Sequence, residues 1–229
     1  MAEEFFYHYT SKIVAKSIIR RGKILPVSDS LEANGDALHG EGVYLTTLEP
    51  VHGEEIIKHN KWGGVAATKT TIEVFFEILI PSSKVVRSND TRDIQVHKGP
   101  LQLSNYKWSL KNWDGQLLAT QFFMVSSDGG AKAHHSLCMG RYSIVRDIVM
   151  KQEGETTFVY KKDEGERSKC LYNSDGNWVV GNVAGDTRCS LGQTNYGPTI
   201  YSPSKTKKWR YYHHGGWHVD KTLKVFPCY

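Results

Sequence analysis

The stretch FFYHYTSKIVAKSIIRRGKILP, residues 5–26, contains the signals of a strand, a helix and a second strand in succession. Residues 5–10 are aromatic and β-prone, which predicts a first strand. The Thr-Ser pair that follows is able to cap a helix over residues 12–21, where apolar side chains recur near helical spacing. Gly22 is a typical helix stop, and residues 23–26 predict a short strand. The chain therefore begins with mixed α and β structure.

The next ninety residues continue this pattern with further strand signals. A polar, glycine-containing loop is expected over residues 29–41, and a short helix over residues 52–59. Strands are predicted at five places, one of them long and apolar: 42–47, 71–81, 85–86, 94–97 and 101–103. Residues 104–114, which include two tryptophans and a tyrosine, are interpreted as an aromatic seam against the sheet.

The second half of the chain contains an internal repeat. Residues 170–181 (CLYNSDGNWVVG) match residues 209–220 (WRYYHHGGWHVD) in the placement of a tyrosine, a glycine, a tryptophan and a valine. In each copy a glycine-containing pair separates two β-prone runs, which is a hairpin signal. Short β-prone runs at 159–160 and 200–201 are the expected partner strands. The repeat predicts a small β-hairpin module.

Composition predicts a domain boundary between these two halves and a cellular location for the protein. Residues 115–135 are rich in Gly, Ser and Ala, so we predict a boundary or long connection there, with domains at 1–125 and 136–229. The chain shows no secretory signal and no apolar run of bilayer length, which predicts a cytoplasmic or nuclear protein without membrane contact. The predicted fold class is α+β.

Net charge separates the two halves as well. The whole chain carries 29 basic and 24 acidic side chains, a net charge of +5. Residues 1–120 contain 14 of each sign, so residues 121–229 supply the entire excess with 15 basic and 10 acidic side chains. A basic C-terminal half can attract nucleic acid or another acidic partner, although a solvated surface gives the same composition.

Two motifs in the first half occur together. One is His8-Tyr9-Thr10 at the end of the first predicted strand, and the other is Gly40-Glu-Gly-Val-Tyr-Leu-Thr46, about 35 residues further on. With Gly22-Lys-Ile24 between them and Pro50 after them, they resemble the motifs of a toxin-type ADP-ribosyltransferase family with a His-Tyr-Asp signature. The resemblance covers residues 5–50 well and residues 70–110 loosely, and it does not reach residues 140–229.

The resemblance implies an ADP-ribosyltransferase-like domain with a split antiparallel sheet, flanking helices and a cleft for NAD⁺ as co-substrate. It implies that the imidazole of His8 holds a ribose hydroxyl and that Tyr44 stacks on the nicotinamide ring. Backbone groups of Tyr9 would meet the nicotinamide amide. The remaining cofactor-binding residues that it implies are Thr10, Ser28 and Gly42.

The third catalytic position of such a family is an acidic residue that stabilises the cationic transition state. Asp93 precedes the predicted strand 94–97 after a loop, which is where the resemblance implies that the carboxylate is presented. Gln95 and Gln102 lie in the same stretch and remain alternatives for the position. The expected catalytic set is therefore His8, Tyr44 and Asp93.

The acceptor of ADP-ribose stays open at this point between protein, nucleic acid and water. Water as acceptor would make the chain an NAD⁺ hydrolase, and loss of transfer would leave a binding module on the same fold. The tract 205–214 interleaves cations with aromatics, so Lys207, Lys208 and Arg210 are the partner-binding candidates, whereas the repeated Tyr and Trp side chains are assigned to packing.

No metal site is expected from the histidines and cysteines. His134 is followed by His135 and His213 by His214, and adjacent side chains on a strand face opposite ways. The four cysteines are far apart and include no CxxC pair, so we predict free thiols.

Overall fold

The computed structural model describes residues 2–27, 40–62, 72–89, 91–152, 155–164, 169–174, 177–182, 184, 189–193, 203 and 208–228. The fold is mixed α+β, made mostly of strands with few helices. The chain divides into two compact units, Met1–Gln116 and Leu117–Tyr229.

The described residues of the N-terminal unit form two α-helices and eight strands. The helices are α1 (Lys12–Arg21) and α2 (Glu54–Trp62), with short 3-10 turns at Pro50–His52, Ser82–Lys84 and Leu103–Asn105. The strands are β1 (Glu3–Thr10), β2 (Lys23–Ile24), β3 (Val43–Leu45), β4 (Val74–Pro81), β5 (Val85–Arg87), β6 (Gln95–His97), β7 (Leu101–Gln102) and β8 (Lys107–Asn112). The strands and helices predicted over the described part of this region are therefore present, with shifts of a few residues at their ends.

The start of the chain follows its local signals closely. Ser11 caps α1 by accepting a hydrogen bond from the backbone N–H of Val14 at 3.3 Å. Gly22 ends the helix in the left-handed region at φ 69°, and its N–H donates to the carbonyl of Ile19. A residue with a Cβ would be strained at this φ, so the glycine fixes where β2 begins.

Strand β4 is the centre of the main sheet of this unit, with β1 and β8 antiparallel on its two sides. Side chains of β1 alternate between two faces, so that Tyr7 and Tyr9 point away from His8. The Tyr7 face is packed into an aromatic and aliphatic core with Ile57, Ile72, Phe75, Leu48 and Trp113. The Trp113 ring stacks on Tyr9 at a centroid distance of 5.5 Å, which places part of the predicted aromatic seam in this core.

A second, smaller sheet has the order β3-β6-β5, and β2 pairs with β7. In the β3–β6 pair, Tyr44 lies opposite Val96 and Leu45 lies opposite Gln95. Gly42 precedes β3 at a close crossing of backbones, because a Cβ there would lie 2.4 Å from Val96 Cγ1 and 2.9 Å from the His97 carbonyl oxygen.

The C-terminal unit is dominated by one curled antiparallel sheet. Its sheet order is β17-β16-β15-β14-β13-β12-β11-β10-β18, so the chain advances one strand at a time until β18 adds beside β10. Those strands are β10 (Phe122–Ser126), β11 (Gly140–Gln152), β12 (Glu155–Lys162), β13 (Cys170–Ser174), β14 (Asn177–Gly181), β15 (Cys189–Gln193), β16 (Trp209–His213), β17 (Gly216–Asp220) and β18 (Lys224–Cys228). The unit also contains β9 (Leu117–Thr120), α3 (Gly130–His135) and a 3-10 turn at Ser136–Cys138.

The repeat predicted from the sequence is confirmed as two hairpins in equivalent register. In β13–β14, Cys170 lies opposite Gly181, and in β16–β17 the equivalent Trp209 lies opposite Asp220. The expected partner run at 159–160 is in β12, which pairs with β13. The other expected partner run, 200–201, lies outside the described residues.

The prediction that the repeated aromatics all serve packing holds for Tyr211, which is half-buried against α3, but is wrong for Trp217. Tyr172 and Trp178 are buried, at 0% and 1% exposed, whereas Trp217, the equivalent of Trp178, is 40% exposed. The reason is position in the sheet: β14 lies between two strands, but β17 stands first in the sheet order and pairs with β16 alone among the described strands.

The boundary predicted over residues 115–135 contains the observed division after Gln116, but the segment is not a connection. It forms β9, β10 and the whole of α3, so residues 117–125, which were expected in the first domain, belong to the second unit. Over the described ranges, none of the helices combines the length and apolar character that crossing a bilayer requires.

Candidate functional site

The His8-Tyr9-Thr10 motif on β1 and the Gly40–Thr46 motif around β3 lie side by side. Among the described residues the strands share one isolated bridge, in which the N–H and C=O of Tyr7 bond to the C=O and N–H of Thr46 at 2.8 and 3.1 Å. Beyond that bridge the side chain of His8 bonds to the carbonyl oxygen of Tyr44, with His8 Nδ1 at 3.2 Å. The structure therefore brings the His8 side chain together with the backbone of Tyr44.

The surroundings of His8 fix its protonation. A carbonyl only accepts hydrogen bonds, so Nδ1 carries the proton and donates to Tyr44, which leaves Nε2 as an acceptor in the neutral ring. Burial and, to a smaller extent, the positive charge of Lys61 lower the pKa of His8 from 6.5 to about 3, with the Tyr44 hydrogen bond acting in the opposite direction. The imidazole is neutral at pH 7 and is able to accept a hydroxyl hydrogen.

This depressed pKa predicts how stability depends on pH. Because the folded state keeps His8 neutral and the unfolded chain protonates it below pH 6.5, the unfolded state binds more protons and stability falls as pH falls from 6.5 towards 3. We expect this residue to contribute a slope of about 1.4 kcal/mol per pH unit between roughly pH 5.5 and 4. Urea unfolding of wild type and His8→Asn across that range measures it, and equal slopes in the two proteins would contradict it.

A small cavity of about 20 Å³ lies on the Tyr7 and Tyr9 side of β1 and opens to solvent. Tyr44 lines this cavity, and its hydroxyl donates to the Gly40 carbonyl at 2.7 Å. The other lining residues come from β1, β3, α2 and the start of β6: Tyr7, Tyr9, Leu45, Thr46, Ile57, Asn60, Lys61 and Ile94. His8, on the opposite face of β1, is not among them, so Tyr44 is the residue that joins the imidazole to the cavity.

Helix α2 adds two polar residues to this cavity that the sequence analysis missed. The Nζ of Lys61 donates to the carbonyl of Tyr9 at 2.5 Å. That carbonyl belongs to the backbone expected to meet a nicotinamide amide, so Lys61 occupies one of its two acceptor positions. The buried side chain of Asn60 bonds to both the N–H and the C=O of Asp93, at 2.7 and 2.8 Å.

Asp93 lies at the end of the β3–β6 pair and accepts hydrogen bonds through both carboxylate oxygens. Oδ2 accepts from the Thr46 hydroxyl at 2.7 Å and from the backbone N–H and hydroxyl of Thr47 at 2.6 and 2.8 Å. Oδ1 accepts from Gln95 Nε2 at 3.1 Å. These bonds lower the pKa of Asp93 although its partial burial acts to raise it, so the carboxylate is ionised. Its neighbour Thr46 lines the cavity and Asp93 does not.

The remaining predicted cofactor residues are placed less favourably. Thr10 is buried on the face of β1 that does not line the cavity. The backbone N–H and C=O of Gly42 both bond to Val27, at 3.4 and 2.9 Å. Gln102 is exposed and pairs with Lys23 in the β2–β7 ladder, away from the cavity-lining residues. Ser28 lies outside the described residues.

In the C-terminal unit, Lys208 and Arg210 are described, and Lys207 lies outside the described ranges. The histidines of α3 approach those of β16, with the His134 and His213 rings stacked at 3.6 Å. Within the described part of the chain, no group of three or more His, Cys, Asp or Glu side chains is arranged to hold a metal ion. All four cysteines are free thiols.

Comparison with known proteins gives no relative: no family model, no curated protein and no solved structure matches this chain.

Proposed function

We propose that the N-terminal unit binds NAD⁺ and transfers its ADP-ribose to a macromolecular acceptor, on an ADP-ribosyltransferase-like split sheet. The observation that carries the proposal is the double role of Tyr44, whose carbonyl fixes the His8 imidazole at 3.2 Å and which also lines the cavity. The two motif residues that the family resemblance pairs are thus neighbours in space although 36 positions apart in sequence.

The chemistry suits a site with few titrating groups. Cleavage of the nicotinamide–ribose bond releases neutral nicotinamide and forms an oxocarbenium-like cation, so catalysis depends on positioning and electrostatics rather than on proton transfer to the leaving group. His8, neutral and with Nε2 as acceptor, is suited to hold a ribose hydroxyl of a ligand that extends past Tyr44, because the imidazole lies on the face of β1 opposite the cavity. Tyr44 offers an aromatic face to the flat nicotinamide ring.

Lys61 gives the cavity a positive charge, which favours binding of the phosphates of NAD⁺ and opposes binding of its cationic nicotinamide. The pyrophosphate of NAD⁺ is anionic, and an ammonium on a flexible side chain is able to leave the Tyr9 carbonyl and pair with it. Kept beside the cationic nicotinamide, the same charge would oppose binding. We therefore assign Lys61 to the phosphate end of the ligand.

One observation favours a second candidate, a module that binds NAD⁺ without transferring ADP-ribose. The carboxylate of Asp93 is engaged by Thr46, Thr47 and Gln95 rather than directed at the cavity. Release of free ADP-ribose with water as acceptor is the third possibility on the same site.

Incubation of the whole chain with NAD⁺ labelled in the adenylate, with and without cell extract, tests these candidates together. We expect nicotinamide release and label in a macromolecule, which nuclease and protease treatments then identify. We also expect NAD⁺ to raise the melting temperature, since a ligand that binds only the folded state stabilises it by about 2.7 kcal/mol at 100 times its Kd.

Tyr44→Ala is expected to remove most of this activity while the circular dichroism spectrum stays unchanged, because an aromatic contact contributes on the order of 1 kcal/mol to ligand binding. Tyr106→Ala is the matched control: Tyr106 is another half-buried tyrosine of the same unit, bonded to His97 and absent from the cavity wall. NAD⁺ binding without turnover would select the second candidate, and no thermal shift at millimolar NAD⁺ would overturn the proposal.

A further inference from the structure

The outward face of the second repeat hairpin carries two exposed aromatic side chains with two cations beside them, the half-buried Arg210 and the exposed Lys208. Tyr212 and Trp217 lie opposite each other across β16 and β17, 44% and 40% exposed, with ring centroids 5.6 Å apart. The Arg210 guanidinium lies over the Trp217 ring at 5.6 Å. The exposed Lys208 directly precedes the strand.

The ring of Trp217 packs against the neighbouring part of the sheet. Its outer edge lies over Gly192 on β15, where a Cβ would come within 3.3 Å of Trp217 Cη2. One side of the indole therefore rests on the sheet and on Arg210, while the rest stays exposed. An aromatic ring that already packs on one side loses less conformational entropy when a second flat ring stacks on its exposed surface.

Along the sequence, the charges in and before these two strands have one sign. Residues 187–219 contain no Asp or Glu, although they include five Lys or Arg and three His. The next acidic residue, Asp220, is buried and bonded to the Ser127 hydroxyl and the Ala131 N–H at 2.8 Å each, so it does not neutralise the outward face.

We propose that this face of β16–β17 binds single-stranded nucleic acid, with bases stacked on Trp217 and Tyr212 and phosphates paired with Arg210 and Lys208. A single-stranded nucleic acid is a flexible polyanion with exposed aromatic bases, and proteins bind it with aromatic side chains interleaved with cations. A duplex keeps its base faces stacked internally and would use the charges alone. An acidic protein would likewise leave the exposed rings without a matching partner.

This site is separate from the NAD⁺ cavity of the N-terminal unit and does not depend on it. Binding of an oligonucleotide without NAD⁺ tests it directly, so failure of the transferase proposal leaves the inference standing, and the reverse also holds.

The test is fluorescence anisotropy of a labelled oligouridine of about 20 nucleotides with the whole chain, over a series of salt concentrations. We expect wild type to bind, and Trp217→Ala to bind about tenfold more weakly with an unchanged salt dependence. Lys208→Gln should reduce the slope of log affinity against log salt by about 0.7, the value for one phosphate of a single strand. Trp217→Phe, which keeps an aromatic face, should retain most of the affinity.

Phe226→Ala is the control for a general loss of exposed aromatic surface. Phe226 is 42% exposed on β18, outside residues 187–219, which contain no Asp or Glu. Heparin, a polyanion without bases, and a duplex of the same length separate charge from stacking. If Trp217→Ala fails to keep the wild-type melting temperature, Tyr212→Ala takes its place. Absence of binding at low salt, or equal losses for Phe226→Ala and Trp217→Ala, would overturn the inference. So would an affinity for heparin or duplex equal to that for the single strand.

Discussion

Replacing His8 by alanine is expected to lower the turnover of NAD⁺ by roughly 10²–10³, the usual cost of removing one well-placed polar group from a transition-state site. The reason lies in the fixed ring. Nδ1 donates to the Tyr44 carbonyl, so Nε2 is held ready to accept a ribose hydroxyl, and no other imidazole of the N-terminal unit bonds to a cavity-lining residue among the hydrogen bonds of the described part. Removing the ring also leaves the Tyr44 carbonyl without this donor.

His97→Ala is the matched control for this variant. His97 is another half-buried histidine of the same unit, and its ring bonds to the Gly99 carbonyl and the Tyr106 hydroxyl, at 3.4 and 3.2 Å, away from the cavity wall. We expect His97→Ala to keep turnover within a few-fold of wild type. Single-turnover release of nicotinamide from both variants measures the difference, and an equal effect of the two substitutions would return His8 to a structural role.

The elements around His8 could be predicted from sequence because their signals are local. Ser11 and Gly22 mark the ends of α1, and the alternation in β1 sets Tyr7 and Tyr9 on one face. The partnership of His8 with Tyr44 came from the resemblance of two motifs, not from periodicity. Only the fold shows how they meet, through a backbone carbonyl that no side-chain pattern encodes.

Asn60 and Lys61 could not be predicted in the same way. The helix was expected to end at residue 59, and the structure extends it to Trp62, which turns two further polar side chains toward β1 and Asp93. The exposure of Trp217 was missed for a related reason. A sequence repeat specifies the register of a hairpin. Whether that hairpin lies at the centre or at the edge of the sheet depends on strands that are distant in sequence.

The Asp93 carboxylate gives the second large expected effect. Asp93→Asn should slow ADP-ribose transfer by roughly 10²–10³ and leave NAD⁺ affinity nearly unchanged, since a charge near a forming cation acts mainly in the transition state. The same substitution should lower the free energy of unfolding by about 1.5–3 kcal/mol, because one amide oxygen cannot replace two carboxylate oxygens that accept from Thr46, Thr47 and Gln95. Rates are therefore compared at a temperature where both proteins are fully folded.

Thr47→Val separates the two effects of Asp93→Asn. It removes the hydroxyl that donates to Asp93 Oδ2 at 2.8 Å but keeps the charge, so it should lower the melting temperature and leave the transfer rate within a few-fold of wild type. Gln102→Ala, at an exposed position in the β2–β7 ladder, should change neither quantity. If Asp93→Asn, like Thr47→Val, lowers the melting temperature but keeps the transfer rate, the carboxylate only holds β3 to β6. If Gln102→Ala loses transfer instead, the third catalytic position lies on β7. Asp93 bonds to Thr46 just after β3, and the Tyr44 carbonyl within β3 bonds to His8. A catalytic Asp93 would therefore mean that β3 positions all three residues of the proposed site, with Tyr44 on the strand itself and His8 and Asp93 bonded to it.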